Sequence, residues 1–362
     1  MRRLSIGGAE LSFGSVTEAL MGSGEGPLRG ILSGILALVI AVVVTGFVML
    51  VLGADPIEAF DGMVNGSIGS RPAFAQTLLV TAPLILTGLA AAIPFSARIF
   101  NVGGEGQLVA GAVGATAMGF WFSGLTAPAL VVLAIAGGIV SGAIWGLIAG
   151  ALRAFFQANE VIVTLMLNFI ALLLADYAIN SSWADPVSPQ TRPLPEGVDL
   201  PIIWSDTLVN LGIVLAVVAA IVGWFLMRRT SLGFGITATG YNPAAARIKG
   251  YEIGFITLAV LGIGGAFAGL AGAVEVLGKH HALVPNLSSN YGYTGIAVAL
   301  VARLNPLWLI PSAFFFAAIN AGSNTLQATA GVSTAASLVV QAVFVLSLLA
   351  LRVIRISYPE VR

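Results

Sequence analysis

The chain has 362 residues, of which 58% are hydrophobic and 9% charged, with 16 basic and 16 acidic side chains that cancel. A soluble domain carries about 25% charged residues, so a soluble globular protein is excluded and an integral membrane protein is described. The absence of cysteine excludes disulfides and thiolate metal sites, two histidines cannot build a metal centre, and zero net charge removes a nucleic-acid partner.

Residues 1–28 hold Arg2, Arg3, Glu10, Glu18 and Glu25 among glycines and serines, without an apolar core long enough for a signal peptide, and are expected to form a cytoplasmic tail. Beyond them run largely apolar stretches able to cross about 30 Å of hydrocarbon. Ten are expected, at 29–53, 74–95, 105–123, 127–151, 160–181, 207–227, 255–277, 291–302, 306–325 and 334–351. The eighth is too short for a straight crossing, so the chain there is expected to be broken or re-entrant, which membrane depth tolerates only where protein or a water-filled cavity satisfies the backbone. The fold class is thus an all-α polytopic membrane protein with about ten transmembrane helices. Its transmembrane domain covers 29–354, and a cytoplasmic tail covers 355–362.

Charge orients these spans. With the N-terminus inside, thirteen basic residues fall on the inner side: Arg2, Arg3, Arg29, Arg98, Arg153, Arg228, Arg229, Arg247, Lys249, Arg303, Arg352, Arg355 and Arg362. Arg71, Arg192 and Lys279 fall outside, and every even-numbered span ends in an arginine. This is a strong positive-inside bias, and it makes both termini cytoplasmic. The outer loops are acidic (Asp55, Glu58, Asp61) or stiffened by Pro186, Pro189, Pro193, Pro195 and Pro201. Residues 182–206, with Trp183 and Trp204 at interfacial positions, are expected either to be solvated or to dock an extracytoplasmic solute-binding protein.

A short pattern recurs. Asn101-Val-Gly-Gly-Glu-Gly106 opens the third span and Asn290-Tyr-Gly-Tyr-Thr-Gly295 the eighth, with the same Asn-x-Gly-x-x-Gly spacing. The topology puts the first at the inner side and the second at the outer side, as an inverted repeat of spans 2–5 and 7–10 would. Glu105 lies among Asn101, Gly103, Gly104, Gly106 and Gln107, and this group could tie a broken helix or hydrogen-bond a polar solute. Glu160 stands in the first turn of the fifth span, where it suits the helix dipole, while Asp176 and Glu275 near outer ends are expected to reach water. Asn168, Asn320, Ser323, Asn324, Gln327, Ser337 and Gln341 recur along other spans. Asn320 and Asn324 share one helix face. With Tyr291, Tyr293, Phe314, Phe315 and Phe316 they could line a path for a ring-bearing solute, or serve as interhelical hydrogen-bond glue. His280 and His281 are expected to be solvated.

Between the sixth and seventh spans lies the island Gly240-Tyr241-Asn242-Pro243-Ala244-Ala245-Ala246-Arg247-Ile248-Lys249-Gly250. Asn242 can cap a helix, Pro243 suits its first position, the alanines propagate it, and Gly250 can take the left-handed conformation that ends it. The expectation is a two-turn helix outside the hydrocarbon, over about 240–250, presented to a soluble partner. There is no Gly-x-x-x-x-Gly-Lys-Ser/Thr, so the chain has no P-loop for ATP. An ion gradient or an ATPase partner must then supply the drive.

Phe100-Asn-Val-Gly-Gly-Glu-Gly-Gln107, Asn159-Glu-Val-Ile-Val-Thr164 with Met166-Leu-Asn168, the island and Asn290-Tyr-Gly-Tyr-Thr-Gly295 carry a resemblance. From about residue 30 onward the chain resembles the permeases of ABC importers in the branched-chain amino acid and simple-sugar superfamily. Its look is nearest to the branch that takes up nucleosides with basic-membrane-lipoprotein-type binding proteins. The resemblance implies that Asn242, Pro243, Ala245, Ala246, Arg247 and Gly250 couple to an ATP-binding subunit. It also implies a second permease subunit, an extracytoplasmic solute-binding lipoprotein and the bacterial inner membrane around them. No cofactor is expected in this chain, ATP and Mg belonging to the partner ATPase, and no enzymatic activity is expected of it. Two alternatives stay open: a permease for a simple sugar or another small polar solute, and a self-sufficient carrier using Glu105 or Glu160 as its ion site.

Overall fold

The computed structural model describes residues 39–40, 42–47, 49–51, 55–330, 339, 342–343 and 346, giving only the backbone for 324–330. The chain divides into two compact units, Met1–Ala59 with Val332–Arg362, and Phe60–Gly331. Of the first unit, the described residues include helical backbone over 42–47. The expected spans 29–53 and 334–351 fall largely outside the described residues.

The second unit is helical. Helix α1 (Pro56–Ser67) leads into α2 (Arg71–Ser96), which is started by Ser70 accepting from the Ala73 N–H at 3.2 Å. Every residue of α2 from Val80 to Pro94 is buried. A helix apolar all round belongs in the middle of a bundle, and α2 does stand there. It packs against α6 (Gly212–Arg229), α9 (Ile253–Glu275), α10 (Tyr291–Val301) and α11 (Leu309–Ala330).

Beside it, α3 (Gly104–Trp121), α4 (Ala127–Phe156) and α9 form the tightest contacts of the fold. Gly138, Gly142 and Gly146 recur at four-residue spacing on one face of α4 and are buried. At Gly142 the carbonyl of Gly265 takes the place a Cβ would need, and Gly142 does the same to Gly265. Two backbones touch there, which is how membrane helices gain packing energy without a hydrophobic effect between them. The outward side of α5 (Glu160–Ile179) carries exposed Phe169, Leu173 and Tyr177, the composition of a lipid-facing surface.

Among the described residues, five helices are long and apolar enough to cross a membrane: α2, α4, α5, α6, and α9 together with the π turn Val276–His280 that prolongs it. α10 and α11 are shorter apolar helices. The chain is therefore a multi-pass, all-helical membrane protein. The helices coincide with the expected second to ninth spans to within a few residues. α1 and α7 (Ser231–Tyr241) were not expected: the acids of α1 mark an outer loop, and residues 231–241 belong to no expected span.

Residues 182–206 are not a solvated loop. Thr191 donates its N–H to Leu283 O at 3.0 Å, Leu194 to His281 O at 2.9 Å and Leu200 to Leu277 O at 2.9 Å. Thr191, Leu194, Val198 and Leu200 are buried, and Trp183 packs on Phe120 and Trp121. The segment is a fitted cover laid over the end of α9. His281 is part of the fit, with Nδ1 2.5 Å from Asp199 Oδ1, rather than freely solvated.

Candidate functional site

The two Asn-x-Gly-x-x-Gly copies meet. Their N-terminal helix ends, α3 and α10, converge inside the second unit. At Gly292 there is no room for a Cβ because the backbone of Glu105 fills that place, and only glycine permits the approach. The carboxylate of Glu105 leaves α3 and caps the other helix: Gly292 N–H donates to Oε2 at 2.8 Å, and the Ser288 hydroxyl donates to Oε1. A buried charge needs such donors, and a helix N-terminus supplies N–H groups without helical partners together with the positive end of its dipole.

Around this contact the other polar side chains are occupied. Asn101 and Gln107 pair amide to amide, Asn101 Nδ2 to Gln107 Oε1 at 2.9 Å and Gln107 Nε2 to Asn101 Oδ1 at 3.2 Å, and each is 1% exposed. Asn101 also donates to Ala90 O and accepts from Gly103 N–H. Asn168, projecting from α5, accepts from Gly106 N–H at 2.9 Å and donates to Val102 O at 3.0 Å and to the Tyr293 hydroxyl at 3.1 Å. One asparagine thus holds the start of α3 and reaches α10. The geometry of this junction supports helix tying for Asn101, Glu105, Gln107 and Asn168. Tyr293, which accepts from Asn168, is 38% exposed.

Of the remaining sequence candidates, Asn290 and Tyr291 adjoin it, the Asn290 backbone N–H donating to the Glu105 carboxylate. Asn290 is exposed in left-handed backbone (φ 63°), with no side-chain cap on α10. Tyr291 is buried, with Lys279 Nζ 6.0 Å from its ring centre. Asn320 is half-buried on α11, and no hydrogen bond among the described residues links it to the junction. The side chains of Asn324 and Gln327, and residues Ser337 and Gln341, lie outside the described residues.

Three carboxylates resolve differently. Glu160 pairs with Arg153 Nε at 3.3 Å beside Asn159, whose side chain caps α5. Asp176 is exposed, as expected. Glu275 does not reach water: it is 2% exposed, with Lys279 Nζ at 3.5 Å and His280 Nε2 at 3.6 Å, because the π turn folds both side chains back over it. Sequence reasoning missed Ser288, which lies within the turn that leads into α10.

The second candidate is at the surface. The island forms α8 (Pro243–Ile248), and Asn242 Oδ1 accepts from Ala244 N–H at 3.0 Å and Ala245 N–H at 3.1 Å. Pro243 takes the first helical position and Gly250 ends the turn at φ 89°. Ala246 is its only buried residue; Tyr241 is 81% and Ile248 86% exposed, and Arg247 and Lys249 make no ion pair among the described residues. The knob is fastened at its base, not loose. Tyr251 N–H donates to Ala246 O at 3.1 Å, the Tyr251 ring packs on Phe234, and Gly240 abuts Ser96 O at the end of α2.

Comparison with known proteins places this geometry in context. The family described as branched-chain amino acid transport system, permease component, matches residues 73–349. A glucose ABC transporter permease of Haloferax volcanii is 32% identical over 84% of this chain and 83% of its own length. A guanosine ABC transporter permease of Bacillus subtilis is 33% identical over 83% and 87%. A nucleoside ABC transporter permease of Lactococcus lactis is 30% identical over 78% and 82%.

Proposed function

This chain belongs to the permease-component family of branched-chain amino acid transport systems, and on that premise we propose that it is the transmembrane subunit of an ATP-driven importer of nucleosides. It is a transport component and not an enzyme. The observation that carries the reading is the capped, exposed and base-anchored α8, a rigid contact that a lone carrier has no use for. The guanosine and nucleoside permeases among its relatives supply the substrate class.

In this reading the full permease has ten spans, with spans 2–5 and 7–10 as inverted repeats, and its two termini lie in the cytoplasm. It works in the inner membrane beside a second permease subunit. Asn242, Pro243, Ala245, Ala246, Arg247 and Gly250 engage the ATP-binding subunit, which holds ATP and Mg. The cover over residues 182–206 receives a solute-binding lipoprotein. Force enters at α8 and passes to the end of α2 where Gly240 abuts Ser96, because a short stiff helix transmits displacement that a flexible loop would absorb. Tyr293, Asn290, Asn320 and Asn324 are the path-lining candidates; Asn101, Glu105, Gln107, Asn168 and Tyr291 hold the broken helices that frame it.

A second reading, a sugar permease, is favoured by the glucose permease of Haloferax volcanii. The deciding experiment is uptake of labelled guanosine and labelled glucose into vesicles holding this chain with and without its ATP-binding subunit and partner permease, with ATP supplied on the ATPase side. Guanosine uptake only in the full assembly with ATP is expected. Glucose uptake alone selects the second reading, and uptake by the lone chain driven by an ion gradient removes both.

A further inference from the structure

Three arginines of the second unit take no part in the function proposed above. Arg98 follows α2, Arg228 closes α6 and Arg303 follows α10, so each stands at the end of a different helix. They line one groove of about 580 Å³ with Phe95, Met227 and Phe234. Among the described residues no acidic side chain lines the groove and none of the three makes an ion pair, although all are exposed. Arg98 and Arg303 hold left-handed backbone, φ 58° and 55°, at positions after a helix that ordinarily fall to glycine or asparagine. Convergent cations beside an apolar wall make a site for an anion that carries hydrocarbon with it.

We propose that this groove binds the phosphate headgroup of an anionic phospholipid, favouring one with two phosphates. Guanidinium groups grip phosphate through paired hydrogen bonds, and basic pockets between membrane helices on the cytoplasmic side take such headgroups. The depth is right for a headgroup: Arg229, next to Arg228, lies 5.9 Å from the Trp224 ring centre, and Phe100 and Phe234 are exposed near the groove. An acidic protein segment would answer the arginines but leave those rings in water. The groove also reaches Gly240 and Tyr241, so its occupant touches the root of α8. The proposal rests on the membrane placement of the chain and not on what it transports.

The test is native mass spectrometry of the full chain in detergent, titrated with cardiolipin, phosphatidylglycerol or phosphatidylcholine. Cardiolipin is expected to survive activation that strips phosphatidylcholine, and Arg228→Gln, on regular helix and so safe for folding, to weaken it about fivefold, the effect of one basic charge near a headgroup. Arg98→Gln with Arg303→Gln should abolish the preference, whereas Lys249→Gln on the knob should leave it intact. Inorganic phosphate in excess should not displace cardiolipin. Equal retention of charged and zwitterionic lipid, an equal loss in Lys249→Gln, or displacement by free phosphate would each overturn the assignment. So would lipid-indifferent arginines that become protected from chemical modification only when the ATP-binding subunit is added.

Discussion

Asn101 Nδ2 lies 3.0 Å from Ala90 O, the carbonyl that Pro94 deprives of its helical donor. A proline inside a buried membrane helix leaves a polar group that neither water nor lipid can satisfy, and a neighbouring side chain must supply the proton. Here the donor comes from the segment immediately after the helix, so the chain that leaves α2 is bound back onto it.

That relationship predicts an interaction between two substitutions. Asn101→Ala strands Ala90 O, Gln107 and the Gly103 N–H together, and should cost about 2–4 kcal/mol, since each buried unsatisfied group costs about 1–3. Pro94→Ala returns an N–H to Ala90 O. In that background the Asn101→Ala cost should shrink by about 1 kcal/mol. Denaturant unfolding of the four proteins in detergent measures this coupling, and strictly additive costs would mean that Asn101 does not serve the proline.

Glu105 is expected to act as a fixed cap. Glu105→Gln keeps the shape but turns an NH₂ toward one of the two donors, Ser288 or Gly292 N–H. Stability should fall by about 1–3 kcal/mol, and more in Glu105→Ala, where both donors are left unpaired. ATP-driven uptake by the surviving folded fraction should be insensitive to a protonophore in wild type and variant alike. Uptake that collapses with the proton gradient, and no longer responds to it in Glu105→Gln, would make this carboxylate an ion site.

These residues also show what was legible beforehand. Long apolar runs mark α2 to α6 and α9 because span length and charge are local properties. The α8 knob was readable in full, since cap, proline and terminal glycine act within ten residues of one another. Asp55, Glu58 and Asp61 disguised α1, because tertiary contacts outweigh propensity there. The meeting of Glu105 with Gly292 crosses 187 residues of chain, and no periodicity encodes it. Its only trace was the repeated glycine spacing, which announced a likeness between two segments without revealing that they touch.

The α4–α9 contact gives a prediction whose sign is diagnostic. Alanine is the better helix former by about 1 kcal/mol, so Gly→Ala at an open helical site should be neutral or stabilising. Gly254 is such a site, with only Ala154 Cβ at 3.9 Å. At Gly142 the same change drives a methyl group into the backbone of Gly265 and should instead cost about 1–3 kcal/mol. Thermal unfolding of the two variants side by side separates backbone-to-backbone packing from mere helix propensity. A stabilised Gly142→Ala protein would deny the close approach.

The knob separates contact from stiffness. Arg247→Glu changes an exposed charge with no ion-pair partner among the described residues, so the isolated chain should keep its stability to within about 0.5 kcal/mol. Association with the ATP-binding subunit and uptake should both fall sharply, because the charge presented to that subunit is reversed. Asn242→Ala leaves the exposed surface of α8 almost unaltered but removes the acceptor for Ala244 and Ala245 N–H, a loss of about 1 kcal/mol of helix stability. In that variant the subunits should still co-purify while uptake per assembled complex drops and ATP hydrolysis continues, since a frayed helix binds yet yields under load. Co-purification and uptake are therefore measured on both proteins. If Asn242→Ala lost association and transport in equal proportion, α8 would be a binding surface alone, and the transmission of force through Gly240 to the end of α2 would have to be given up.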